Sequence, residues 1–121
     1  MKYDEFCQEL TDDNLRYAVD ICSHTPKYKV FIAVTNRNRL YNVIRFVADY
    51  ITTPSKSIIS GDFCEISFSN NSIIYIYAAT NKPIKGIRVN YSLVENEIDE
   101  KIVNAIIKPM QVDYVYRSEN W

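Results

Sequence analysis

Four carboxylates, Glu95, Glu97, Asp99 and Glu100, crowd into the few residues after an apolar run that ends at Val94. Open α/β sheets gather ligands at the carboxyl ends of their strands, so this group is placed to hold a divalent ion or to face a basic partner. Asp99 also reads as the cap of a following helix, which accounts for part of the cluster without a ligand. A second concentration is basic: Lys27, Lys29, Arg37, Arg39 and Arg45, with Tyr28 and Tyr41 interleaved. Phosphate contact plus aromatic stacking is the chemistry of single-stranded nucleic-acid binding, weighed here against an ordinary solvated or salt-bridged face. The C-terminal QVDYVYRSENW adds Tyr114, Tyr116 and Trp121, candidate partner-binding anchors because large aromatics dominate interface energies.

Other chemistry is thinly provided for. His24 is the sole histidine, and its place just before Thr25-Pro26 suits a helix end, where the ring meets the negative pole of the dipole. Cys7, Cys22 and Cys64 are widely spaced and lack a C-x-x-C pair, which argues against a zinc site and a disulfide framework and for a reducing compartment. Cys64 would need a neighbouring base to act as a nucleophile, and on an apolar strand it reads as core. Asp4, Glu5, Asp12 and Asp13 read as a solvated helix start. Gly61 and Gly86 are the only glycines and neither precedes Lys-Ser or Lys-Thr, so no G-x-x-x-x-G-K-[ST] loop can surround a triphosphate. The expectation is a protein that is not an enzyme, with no metal and no cofactor.

The elements that must position these groups follow from periodicity. Thr11 before Asp12-Asp13 starts a helix that runs to about Ser23, with Leu15, Ala18, Val19 and Cys22 inward, and residues 3 to 10 read as a shorter helix. Tyr28 to Val34 is too apolar to alternate and suits a central strand covered on both faces. Thr35-Asn36 caps a second helix with Leu40, Val43, Ile44, Val47 and Ile51 on one stripe, ending near Thr53-Pro54. Phe63–Phe68 and Ser72–Tyr77 form a hairpin through Ser69-Asn70-Asn71. A strand over Gly86–Val94, a helix over Asp99–Lys108 and a last strand over Val112–Tyr116 complete the order. The fold class is α/β or α+β, a mixed sheet of about five to six strands with helices packed against it. The strands at 28–34 and 86–94 lie near its centre and the 63–77 hairpin toward an edge.

Composition bounds the rest. A chain of 121 residues with 47% hydrophobic content suits a single domain, 1–121, that closes one core without staples. Fourteen basic against 15 acidic residues leave a net charge of -1, so no global field steers it to nucleic acid or an anionic membrane. Ten tyrosines favour a binding surface, although strand propensity alone explains most of them. The acidic N-terminus MKYDEFCQEL does not read as a signal peptide, and no apolar run approaches a spanning helix. The expected location is the cytoplasm.

The region Tyr28–Pro109 resembles the ATPase core of phage large terminases and related P-loop proteins. Phe68-Ser69-Asn70-Asn71-Ser72-Ile73-Ile74 is similar to that family's F-x-N-G-S-x-I hairpin, Lys85-Gly86-Ile87-Arg88 to its basic-glycine turn, and Leu93-Val94-Glu95-Asn96-Glu97 to its acidic motif, with Asp99–Pro109 like the helix that follows. The resemblance implies that Glu95 stands where a magnesium-holding aspartate belongs. Asn96 then stands where a carboxylate would activate water, and an amide cannot accept that proton. Glu97 would not compensate if it alternates to the opposite face.

A pattern inherited from a motor without its fuel site implies a non-catalytic binding protein of phage or mobile-element origin. The form expected is an inhibitor of a host nucleic-acid defence machine, comparable to anti-CRISPR proteins, working through protein contact in the host cytoplasm. The alternative is a degenerate terminase-like subunit or DNA-packaging accessory. The sequence leaves the oligomeric state open, with Val112–Tyr116 as a candidate edge strand through which a two-fold homodimer could pair.

Overall fold

The computed structural model describes residues 1–78 and 86–112. Asp4 sets the start of the chain: its carboxylate accepts the N–H groups of Phe6 and Cys7 at 2.8 and 2.9 Å, a local turn that leads into strand β1 (Cys7–Glu9). The helix expected over residues 3–10 is therefore absent. Aspartate's side chain offers the backbone an alternative to helical bonding, and the strand ladder beyond it completes the switch. Helix α1 (Asp12–His24) begins as expected, with the Thr11 hydroxyl accepting from Asn14 N–H at 3.1 Å, and buries Leu15, Ala18, Val19 and Cys22.

Strand β2 (Lys29–Val34) passes into helix α2 (Arg37–Tyr50) through Thr35 and Asn36 alone, with Asn36 capping by accepting from Arg39 N–H. A strand not anticipated, β3 (Ser55–Ser60), precedes the expected hairpin β4 (Phe63–Phe68) and β5 (Ile73–Ala78). Gly61 turns β3 into β4 at φ +57, the left-handed region a two-residue hairpin turn demands. Strand β6 is short, Tyr91–Val94. The strand expected from Gly86 stops there because Asn90 turns to bracket Lys29, accepting its N–H at 2.9 Å and donating its own to Lys29 C=O at 2.8 Å.

After β6, α3 (Glu100–Ile102) makes one regular turn. It continues as a widened turn over Val103–Ile107, where Lys108 N–H reaches back to Val103 C=O, and a tightened one over Lys108–Met110. The regular helix expected over Asp99–Lys108 is thus distorted. Pro109 has no N–H to continue the ladder and its ring crowds the preceding turn. Val103 and Ile107 are buried as anticipated, with Ile102 and Ile106 half-buried.

The six strands form one mixed sheet in the order β1-β6-β2-β5-β4-β3, in which β1, β6, β2 and β5 are mutually parallel, and β4 runs antiparallel to both of its neighbours, β5 and β3. The 63–77 hairpin lies toward one edge, as expected, and the unanticipated β3 pairs beyond it as the edge strand itself. One face packs Val30, Ile32, Val34 and Leu93 under α1 and α2; the other packs Phe31, Ala33 and Val94 under Ile98, Val103, Ile107 and Met110. The steps β1 to β2 and β2 to β5 run the same way and put both helices on the first face. The step back from β5 to β6 brings Ile87 to the second, as one crossover hand requires. Among the described residues no helix is long and apolar enough to cross a membrane.

Two wholly buried serines contrast. Ser72 Oγ donates to Thr25 C=O at 2.6 Å and accepts from Tyr28 N–H at 3.0 Å, while Ser92 Oγ has no partner among the described residues. Ser72→Ala should lower unfolding free energy by about 1–3 kcal/mol, since it removes the partner of two part-buried backbone groups, Tyr28 N–H and Thr25 C=O. Ser92→Ala should be neutral or stabilise by up to about 1 kcal/mol, because it removes an unbonded hydroxyl. Urea denaturation of both variants checks the pair, and equal losses would contradict these contacts.

Candidate functional site

Glu95 follows β6 immediately and is held by Glu95 N–H donating to Ala33 C=O at 3.0 Å, so its side chain stands beside the last residues of β2. The chain leaves β2 toward the face of α1 and α2, and leaves β6 toward the opposite face, where Ile98 and Val103 lie. Two neighbouring parallel strands with connections departing to opposite faces define a crevice at their carboxyl ends, the place where such sheets receive ligands.

Here the crevice is filled from within. Glu95 Oε1 accepts from Thr35 N–H at 2.7 Å and from Thr35 Oγ1 at 2.9 Å, and Oε2 accepts from Arg39 Nε. The Glu95 side chain is 9% exposed and that of Arg39 43%, so the pair is capped by the guanidinium on the solvent side. Burial pushes the Glu95 carboxyl up, but the hydrogen bonds from Arg39 and from Thr35's backbone and hydroxyl, with the Arg39 charge, outweigh it and hold the group below its ordinary value. Both oxygens are engaged. A two-residue junction between β2 and α2 also leaves no loop to wrap a phosphate chain.

The other acidic candidates do not join Glu95. Glu97, Asp99 and Glu100 are exposed; Asp99 caps α3 by accepting from Lys101 N–H at 2.8 Å, and Glu100 lies 3.5 Å from the terminal ammonium. Asn96 and Glu97 sit in a turn rather than on the strand, so alternation does not decide where Glu97 points. Among the described residues no three acidic, cysteine or histidine side chains gather in a way that could hold a metal ion.

The basic residues are also dispersed. Arg39 is spent on Glu95, and Arg37 Nε pairs with Asp62 at 2.7 Å. Arg45 is exposed midway along α2, and Lys27 and Lys29 lie at the far end of β2, about 17 Å from Val34 at an ordinary strand rise. One nucleic-acid patch of five is therefore not assembled. Lys27 and Lys29 meet Lys56, a residue the sequence pattern did not single out. They line adjoining concavities of ≈ 380 and ≈ 340 Å³ that share Ser67, Phe68 and Asn71. Its signal was the Gly61-Asp62 turn, which marks the preceding run as a strand folding back on β4.

The hairpin motif has a structural task. Asn70 Nδ2 donates to Cys22 C=O at 2.8 Å, its Oδ1 accepts from Ser72 N–H, and Asn71 takes φ 71, so the turn is fastened to the end of α1. Cys22 and Cys64 are buried free thiols, pushed up by burial to about 12 and about 11, and stay protonated at neutral pH. His24 Nδ1 lies 2.8 Å from Asp20 C=O in the last turn of α1. Lys85, the strand expected beyond Val112, and Tyr114, Tyr116 and Trp121 lie outside the described residues.

Because the Glu95 carboxyl titrates lower in the folded chain, its contribution is complete above the unfolded value of 4.5 and is lost as pH falls through the folded value. Glu95→Gln, which turns an amide donor toward Arg39 or Thr35, should cost about 1–3 kcal/mol at pH 7. The gap between the two proteins should close as pH drops below 4.5, as read by urea midpoints across pH. A gap independent of pH would show that the charge is not what binds the crevice.

No family model, curated protein or solved structure matches the chain, so what this crevice does has to be read from its own contacts.

Proposed function

We propose that the chain is a non-catalytic binding domain that works by protein contact, taking an extended segment of a partner onto the outer edge of β3. The observation that carries this reading is β3 itself. All six residues of Ser55–Ser60 are exposed, no strand pairs its outer side among the described residues, and Ile58 and Ile59 stand 60% and 50% open on opposite faces. A long edge with a single charge, Lys56, is the kind of edge that soluble proteins ordinarily block. Its free N–H and C=O groups give affinity, and the two isoleucines accept apolar side chains at alternate positions.

The concrete form is an inhibitor of phage or mobile-element origin that occupies a nucleic-acid-handling defence machine in the host cytoplasm, as anti-CRISPR proteins do. Exposed Glu97, Asp99 and Glu100 after β6 support it as stand-ins for phosphates, and three buried free thiols suit a reducing compartment. The filled crevice supports binding without turnover, because Thr35 and Arg39 already engage both oxygens of Glu95. A second reading, a packaging accessory derived from a terminase-like core, is favoured by Lys27, Lys29 and Lys56. None of the three has an ion-pair partner among the described residues, so they are available to nucleic-acid phosphates.

The test is an edge-blocked variant, Ile58→Lys with Ile59→Lys. Both positions are exposed, so each change should shift stability by no more than about 0.5 kcal/mol. Capture of the partner by the tagged chain in its host should be lost, while capture by a Lys27→Glu, Lys56→Glu variant persists. Undiminished capture by the edge-blocked protein sinks strand addition. Loss with the lysine variant alone, together with salt-sensitive oligonucleotide binding, would favour the second reading.

A further inference from the structure

At the opposite side of the sheet from β3, a cavity of ≈ 420 Å³ opens between α1 and the β1–β6 margin. Its walls are aromatic. Tyr17 and Tyr91 cross edge to face with centroids 5.7 Å apart, and Tyr28 and Phe6 also line it. Tyr91 is anchored, 3% exposed with its hydroxyl donating to Gln8 Oε1 at 2.9 Å, whereas Tyr17 is 52% exposed at the mouth. Burial first, and then neighbouring phenol and thiol groups, push Tyr28 and Tyr91 up to about 12, so these two rings stay neutral and electron-rich at physiological pH.

The polar groups on the lining are mostly unspent. Glu5 is the only charged residue there, and its carboxylate has no ion-pair or hydrogen-bond partner among the described residues. The Tyr17 and Tyr28 hydroxyls and the Gln8 amide nitrogen are likewise without a hydrogen bond. Asn14 donates its Nδ2 to Glu9 C=O at 2.8 Å and keeps its Oδ1 as an acceptor. An anion would meet Glu5 with no compensating cation on the lining, and an apolar ligand would strand these hydroxyls and amides. Electron-rich ring faces, one carboxylate and further oxygen acceptors suit a planar cation that stacks and donates several hydrogen bonds at once.

We propose that this cavity is a receptor site for a guanidinium group, held by Tyr17 and Tyr28 with Glu5 as counter-ion, its source an arginine side chain of a partner protein. The site does not depend on β3, which lies across the sheet, so occupancy here and strand addition there stand or fall separately. Glu5 supplies the charge, the rings supply a stacking surface, and the planar fork distinguishes guanidinium from the compact, strongly hydrated ammonium of lysine.

Tyrosine ring resonances of the full chain, followed by NMR during titration, test it. N-acetyl-arginine amide should shift the Tyr17, Tyr28 and Tyr91 signals saturably with a dissociation constant of about 1–10 mM. N-acetyl-lysine amide should bind markedly more weakly. Glu5→Gln should weaken the arginine probe roughly 2–5-fold, the factor of an exposed ion pair. Tyr17→Leu should weaken it by a similar factor of about 2–5, that of an exposed ring face. A capped Gly-Arg-Gly peptide binding more tightly than the capped residue supports the protein source, and equal binding points to a free guanidinium compound instead. Absence of saturation by about 50 mM, equal binding of the lysine probe, or an unchanged response in Glu5→Gln overturns the assignment.

Discussion

One buried carboxylate organises the carboxyl end of this sheet. Removing Glu95 from water costs several kcal/mol unless its oxygens are met, and among the described residues Thr35 and Arg39 meet them. Three features are thereby tied together: the pairing of Ala33 with Val94, the point at which β2 becomes α2, and the first turn of that helix. A one-residue slip between β2 and β6 would move Thr35 N–H by about 3.3 Å and exchange the two faces of β6. The same contact occupies the switch point. The fold's natural ligand position is thus used for holding the fold, which is the physical ground for reading the molecule as a binder through its margins.

The amino end of the parallel strands is fixed by the same means with neutral groups. Ser72 and Asn70 fasten the β4–β5 turn to the end of α1, and Asn90, just before β6, brackets Lys29. Strand β2 is consequently pinned at both ends by side chains from segments more than forty residues away in sequence. Such long-range polar pins specify register where a nearly all-apolar strand does not, since Val30–Val34 would bury as well in a shifted pairing.

Local signals made much of this legible. Thr11 and Asn36 announce their helices through capping, the 3.6-residue stripes of both helices match their buried faces, and Asn70-Asn71 marks the hairpin. What was not legible depends on partners distant in sequence. Residues 7–9 carry no strong strand pattern and become β1 only because β6 offers a free edge; Ser55–Ser60 has no alternation because neither of its faces is buried. The acidic and basic clusters misled in one way. Proximity in sequence suggested shared sites, but Glu95 turns inward to Arg39 while its neighbours face solvent, and the strand length separates Lys29 from Arg37. The tyrosine cavity was invisible because its tyrosines come from positions 17, 28 and 91.

The two margins of the sheet are treated differently, and the difference bears on function. At β1 the edge is only three residues long and lies beside the Asp4 turn, which Lys108 and backbone bonds hold in place, so little backbone is left to recruit a strand. At β3 there is neither a bulge, a proline within the strand, nor an inward charge, although Pro54 stands just before it and ends any extension on that side. Exposed isoleucines on both faces contribute nothing to the core and raise the risk of self-association. A feature that adds hazard without adding stability is what the proposed strand addition would account for. A partner strand laid on β3 would satisfy the free ladder and cover both isoleucines, converting an edge strand exposed on both faces into an interior one.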